Sequence, residues 1–377
     1  MKTQHLVFLT EHLSYGGAEV VLVEYLQGID LSKYDATLVI RDDLGDKNFL
    51  LSSIPTGIQV IHLFGAEEVS QKIHVTSSFR KLLVARLKDI LAKIDAPKII
   101  IDFSPVLDKV TSKFKNENVI LWMHGDKSHM GFMERTKYLL RIRHYKRIVV
   151  LCEEMREQME SLFPSLKRKL YIIPNPFNFD RIRTGANDIN ISATDQELMK
   201  NNYVVSVARL VPGKDFQTVI RAAKILKDRG IKYTHYIIGD GNLKNELQSL
   251  IDTFNLNDTI HLLGARKNPY PWIKNSLFFV HSAHREGFGL VIVEAMSLGK
   301  AVIASRCPVG PAEILGNGAY GKIYPMQDSI ALADLIEEFL ANPAEVVAFK
   351  EKSLQRANDF SIQNILPKLY KLLEEFE

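Results

Sequence analysis

Glu286 and Glu294, with seven residues between them, enclose Gly287-Phe288-Gly289-Leu290 and open onto an apolar helical run, Val291 to Leu298. Paired glycines permit a tight loop whose backbone N–H groups point at an anion, and the dipole of the following helix adds partial positive charge there. Glu294 falls about one turn inside that helix. A carboxylate in a partly buried first turn needs donors, and ribose or sugar hydroxyls supply them. The plainer alternative, a glutamate that only profits from the dipole near a helix start, leaves the glycines unexplained. The chemistry suggested is recognition of a phosphorylated, hydroxyl-rich ligand.

Other segments have related chemistry. Ala208-Arg209-Leu210-Val211-Pro212-Gly213-Lys214-Asp215 sets a guanidinium and an ammonium around a Pro-Gly turn that opens a helix. Two such cations can converge on one diphosphate, and at about 1.5–3 kcal/mol per charge-assisted bond they can replace a metal as its counter-charge. The alternative is a solvated basic loop. Gly239-Asp240-Gly241, a lone Gly-x-Gly turn ahead of a helix, agrees with phosphate or sugar contact but is weak alone. Ser14-Tyr15-Gly16-Gly17-Ala18-Glu19 has the glycines of an anion loop, opposed by Glu19, and serves equally as a tight strand-to-helix turn. His124-Gly125-Asp126 puts an imidazole at a strand end, a functional or structural position. Cys307-Pro308-Val309-Gly310-Pro311-Ala312-Glu313 is a rigid turn whose Glu313 is either ligand-facing or a surface carboxylate.

These segments share a place in the predicted architecture. Apolar runs at His5–Leu9, Ala36–Ile40, Val60–Phe64, Lys98–Phe103, Val119–Met123 and Arg147–Leu151 alternate with helical patterns, which predicts a parallel sheet. After a polar stretch the alternation resumes at Tyr203–Val207, Thr234–Ile238, Thr259–Leu263, Leu277–His281 and Ala301–Ala304, predicting a second sheet. Ile99-Ile100-Ile101 and Ile148-Val149-Val150-Leu151 are continuously apolar, as strands covered on both faces must be. Ligands of such sheets bind outside the carboxyl ends of the strands, where the candidate loops fall. The amphipathic pattern at Ile362–Phe376 follows the second sheet, and periodicity alone does not place it.

A chain of 377 residues suits two domains with a cleft, and 46% hydrophobic with 24% charged residues is a soluble globular balance. The formal charge of +4 gives no indication of nucleic acid. Cys152 and Cys307 lack neighbours at metal or redox spacing, and no run approaches the ~20 apolar residues of a membrane span. The first ten residues suggest a strand rather than a signal peptide, so a cytoplasmic protein is expected. Two basic amphipathic stretches, Phe132–Arg147 and Phe79–Ile94, fit either an anionic membrane surface near a lipid-linked acceptor or ordinary surface helices.

Taken together, these residues resemble the retaining glycosyltransferases of family 4, which have the GT-B fold. The resemblance rests on Glu286 with Glu294, Val207-Ala208-Arg209-Leu210 with Lys214, Ile238-Gly239-Asp240-Gly241, Gly16-Gly17, Ile173-Pro174-Asn175-Pro176 and Gly310-Pro311-Ala312-Glu313. It covers essentially the whole chain and departs at Asn175-Pro176, where many members have Asn-Gly. It implies two Rossmann-like α/β domains facing each other across a deep cleft: an acceptor domain of residues 1–183 plus a returning helix at about 360–377, and a donor domain of residues 184–359. It implies that Arg209 and Lys214 bind the donor diphosphate, that Glu294 holds the ribose and that Glu286 contacts the sugar. Amides at Gly287, Phe288, Gly289 and Leu290 then complete the phosphate site, Gly16, Gly17, Gly239 and Gly241 border the donor, and His124 lies near the reacting face. The implied reaction retains anomeric configuration without metal or cofactor, and the chain has no Asp-x-Asp pair; Asp42-Asp43 with Asp46 has the wrong spacing. A UDP-linked hexose or N-acetylhexosamine is the expected donor, and a glycan or lipid-linked glycan of cell-surface polysaccharide synthesis the expected acceptor. A nucleotide-sugar epimerase of the same architecture and a non-catalytic nucleotide-sugar-binding protein are the rival readings.

Overall fold

The computed structural model describes residues 4–14, 16–70, 77–104, 107–128 and 130–376; Tyr15 of the first glycine loop, residues 1–3 of the N-terminus and the last residue of the returning segment lie outside these. The chain divides into two compact units, one of Met1–Phe177 with Ile362–Glu377 and one of Asn178–Ser361.

The first unit holds β1 (Gln4–Thr10), β2 (Tyr34–Asp42), β3 (Gln59–Phe64), β4 (Lys98–Asp102), β5 (Asn118–Trp122), β6 (Arg147–Val150) and β7 (Leu170–Ile172). They form one sheet in the order β3-β2-β1-β4-β5-β6-β7, every pair parallel. Ile99 to Ile101 and Ile148 to Val150 are buried, as continuous apolar runs between two helical layers require. The order reverses between β1 and β4, so the loops leaving their carboxyl ends diverge and open a crevice.

The second unit repeats the plan with β8 (Val204–Val207), β9 (His235–Ile238), β10 (Ile260–Gly264), β11 (Phe279–His281), β12 (Val302–Ser305) and β13 (Lys322–Tyr324). The order is β10-β9-β8-β11-β12-β13, again all parallel, with the reversal between β8 and β11. The helix Phe216–Asp228 buries Val219, Ile220, Ala223 and Leu226 in the core beneath this sheet. That fixes the direction of the loop carrying Arg209 and Lys214 just before it.

The last helix, Ile362–Glu374, belongs to the first unit. It buries Ile365, Leu369, Leu372 and Leu373, and the Tyr370 hydroxyl accepts the Asp30 N–H at 2.9 Å while its ring stacks on Tyr34. The division between the units falls at Phe177/Asn178, ahead of the expected 183/184. The Asn178 side chain caps the helix Phe179–Ala186, and Asn268 of the second unit donates to its Gly185 carbonyl at 2.7 Å. Those bonds tie the helix to the second unit.

Candidate active site

In the second unit the loops after β8 and β11 are fastened to each other through the backbone carbonyls of the β8 loop. Ser282 Oγ donates to the Lys214 carbonyl at 2.8 Å, and the His284 N–H donates to the Gly213 carbonyl at 3.1 Å. The Glu286 N–H reaches the Pro308 carbonyl at 3.1 Å, anchoring the same loop to the turn after β12. The glycines of the β9 turn lie close against neighbouring backbone. A Cβ on Gly239 would stand 1.9 Å from the Ala208 carbonyl oxygen, and one on Gly241 would stand 2.3 Å from that of Leu210. Both seat the turn against the backbone that flanks Arg209, so they shape the cation loop.

The fastened loops bring Lys214 and Glu286 together. Lys214 Nζ pairs with Glu286 Oε1, and His281, the last residue of β11, donates Nε2–H to the same oxygen at 2.9 Å. A carboxylate only accepts, which assigns the proton to Nε2. Burial alone would push the Glu286 carboxyl up; the His281 hydrogen bond and the Lys214 charge outweigh it and hold the group down at about 2. Glu286 is therefore an anion throughout the physiological range. Burial pushes the neighbouring Cys307 thiol up to about 12, so it stays protonated and inert. Arg209 is exposed, and none of the hydrogen bonds or ion pairs among the described residues engages its guanidinium.

Gly289, at φ 101°, is the N-cap of the helix Leu290–Ser297, and no side chain caps that end. The left-handed cap is a conformation open to glycine, and the uncapped first turn turns its N–H groups outward. One turn on, Glu294 Oε1 accepts the Tyr270 hydroxyl at 3.2 Å, and Tyr270 is placed in turn by its N–H on Asn268 Oδ1 and by Arg181 at 3.4 Å. Phe288 turns away from this loop and packs edge-on against Phe360. Glu313 lies in the short helix Pro311–Ile314, and its carbonyl is held by Arg356 Nη2 at 2.8 Å. Sequence reading missed His281 and Tyr270. Only the five-residue distance from His281 to Glu286 across a strand-end loop could have exposed the first, and nothing in the pattern signals the second.

Gly16, Gly17 and His124 belong to the first unit, at the carboxyl ends of β1 and β5. Glu19 folds back over the first glycine loop, its Oε2 standing 2.1 Å from where a Gly16 Cβ would be and its Oε1 3.5 Å from His12 Nδ1. A carboxylate thus lies beside Gly16, although no side chain caps that helix start among the described residues. His124 Nε2 donates to the Phe103 carbonyl at 2.9 Å, and its ring lies against Phe103, itself packed on Trp122. Burial pushes this imidazole down to about 4 despite the carbonyl's help, so it is neutral and presents Nδ1 as an acceptor.

A family model described as "Glycosyl transferases group 1" matches residues 188–356. An uncharacterised glycosyltransferase of Methanocaldococcus jannaschii is 30% identical over 305 residues, which cover 72% of this chain and 75% of the relative. The chain belongs to the group 1 glycosyltransferases. Within the group, the N-acetylgalactosamine-N,N'-diacetylbacillosaminyl-diphospho-undecaprenol 4-alpha-N-acetylgalactosaminyltransferase of Campylobacter jejuni is 30% identical over 173 residues, 46% of this chain and 47% of its own. The crystal structure of Anabaena HepE in complex with UDP superposes with a TM-score of 0.79 over 98% of this chain and all of that one, at 19% identity. The fold is GT-B, built from two parallel-sheet Rossmann-like domains.

Proposed function

We propose that this protein transfers a hexose or N-acetylhexosamine from a UDP-sugar to a glycan or lipid-linked glycan acceptor in cell-surface polysaccharide synthesis, with retention at the anomeric carbon and without a metal or other cofactor. The observation that carries the reading is the Lys214–Glu286 ion pair at the strand-order reversal of the second unit, with Arg209, whose guanidinium has no partner among the described residues, in the same loop. Arg209 and Lys214 are the counter-charge for the diphosphate, and the N–H groups at Gly287 to Leu290 receive its oxygens. Glu294, braced by Tyr270, takes the ribose hydroxyls; Glu286 takes the sugar. Gly239 and Gly241 border the donor through the loop they support, and Gly16 and Gly17, with Glu19 over them, suit hydroxyl contact better than phosphate.

The reaction breaks the bond from the anomeric carbon to the β-phosphate oxygen and forms one from that carbon to an acceptor hydroxyl on the same face. The hydroxyl proton passes to the departing phosphate oxygen. Glu286 stabilises the oxocarbenium-like charge without forming a covalent bond. The Nδ1 lone pair of His124 accepts a hydrogen bond from a sugar hydroxyl. The names of the Campylobacter and Anabaena proteins support a lipid-linked acceptor and a uridine diphosphate donor. A panel of nucleotide-sugars, each with and without acceptor, tests the reading by nucleotide release. Transfer predicts release of UDP that depends on the acceptor; conversion of the donor alone would mean an epimerase, and neither event would mean a binding protein.

A peripheral position on the anionic inner face of the cell membrane is part of the same proposal. No helix among the described residues is long and apolar enough to cross a membrane. On the helix Phe132–Ile142, Phe132 is 85% exposed, Met133 75% and Leu140 51%, with Lys137 and Arg143 exposed beside them. Arg141 is committed to Asp108 at 2.9 Å, and in the other basic stretch Arg86 is committed to Glu68 at 2.6 Å. Both stretches keep exposed cations, and the first has the more exposed apolar groups, against 42% for Leu82 in the second. Phe132→Ser with Met133→Ser should weaken sedimentation with phosphatidylglycerol vesicles about tenfold or more. Wild-type sedimentation that is the same with and without those vesicles would refute it.

A further inference from the structure

Glu286 receives two donors on one oxygen, and in the proposed reaction one of them has a second employer. Lys214 Nζ is both the partner of Glu286 Oε1 and a cation for the donor diphosphate. When the phosphates draw that ammonium, a carboxylate that is largely buried loses part of its compensation, and a buried anion without partners either moves or protonates. His281 is the partner that stays.

We infer that His281 is a positioning residue for Glu286, holding Oε1 by its Nε2–H so that Oε2 is presented to the donor sugar whether or not Lys214 has turned to the phosphates. The inference rests on the proposed role of Glu286. His281 is 4% exposed and lies on β11, a strand paired to both β8 and β12, so its ring is fixed by the sheet. Its own carbonyl accepts the Tyr324 hydroxyl at 3.3 Å, which adds a tie from β13. Glu286 Oε2 has no hydrogen-bond partner among the described residues. His281 Nδ1 is buried and has no hydrogen-bond partner among the described residues. The ring therefore meets Glu286 through Nε2. A void of about 10 Å³, lined in part by Lys214, His281 and Ser282, is too small for a substrate group. The imidazole thus acts through Glu286 and not on a ligand of its own.

The test is a double-mutant cycle in the full chain, with UDP-sugar turnover as the readout. His281→Ala should lower kcat roughly 10- to 100-fold, the scale of one hydrogen bond to a charged group, with donor KM changed by less than about threefold. Adding it to Glu286→Ala should cost nothing further, because the two act as one unit. His281→Gln, whose amide keeps an N–H donor, should recover most of the loss. The charged or titratable groups placed around Glu286 are Lys214 from the β8 loop, His281 from β11 and the protonated Cys307 after β12. Losing the imidazole removes one of the two groups that hold the carboxyl down, so the acid limb of kcat should move to higher pH in His281→Ala and back in His281→Gln. Multiplying effects in the double variant, or no upward move of an acid limb that lies below pH 4.5 in the wild type, would overturn the inference. Undiminished turnover in Glu286→Ala would instead overturn the site on which it rests.

Discussion

Glu286→Gln is expected to lower kcat by roughly 10²–10³-fold and to leave donor KM within about threefold of the wild type, since what it removes acts on charge that develops in the transition state. The substitution keeps shape: the amide oxygen can accept from Lys214 Nζ and from His281 Nε2, as Oε1 does now. The far position then becomes an NH2 donor where, in the proposed reaction, a carboxylate oxygen faces the sugar. Ground-state binding loses little, while an oxocarbenium-like centre meets a dipole of the wrong sense. The pH dependence follows from the carboxyl's position at about 2, below its ordinary 4.5. A depressed folded-state value means that its contribution to stability is fully present above about 4.5 and is lost as pH falls toward 2. Any acid limb of wild-type kcat above pH 4.5 must therefore belong to another group. Turnover of Glu286→Gln within a factor of about three of wild type would remove Glu286 from the chemistry.

The α/β class was legible because parallel strands covered on both faces must be apolar without interruption, and each such run corresponds to one of β1–β6 or β8–β12. β7 and β13 escaped notice because three-residue edge strands have no period to detect. The last helix was open on periodicity, since an amphipathic face fits any apolar surface; its resemblance-based return to the first unit agrees with Tyr370 and Leu369 packing there. In the candidate site, residue types marked loops that the fold brings together but did not reveal their contacts. Lys214 and Glu286 are 72 positions apart, and only the pairing of β8 with β11 joins them. Gly239 and Gly241 look in sequence like glycines that face a ligand, because close approach to a phosphate and close approach to a neighbouring backbone demand the same missing Cβ. His281 shows the converse: a single histidine at a strand end has no pattern around it, and its meaning exists only in the 2.9 Å contact.

Lys214 and Arg209 should separate in their effects although both are assigned to one diphosphate. Arg209→Met deletes a guanidinium that is exposed and has no partner among the described residues, so it should weaken donor binding about 10- to 100-fold with the melting temperature unchanged. Lys214→Met should weaken binding by a similar factor and also lower the melting temperature at neutral pH, because it removes one of two groups compensating a carboxylate that is only 11% exposed. The sign of the pH dependence distinguishes this from general loosening. Without the ammonium the Glu286 carboxyl rises from about 2 toward its ordinary 4.5, so the stability gap between variant and wild type should narrow as pH falls through that window. Donor titration at fixed ionic strength, with melting curves at neutral pH and near pH 3, reads both effects. Wild-type donor affinity in both variants would sink the assignment of the diphosphate to this loop. A melting loss in Lys214→Met that is constant across pH would mean that the lysine supports the loop by packing, and that its charge is not what keeps Glu286 ionised.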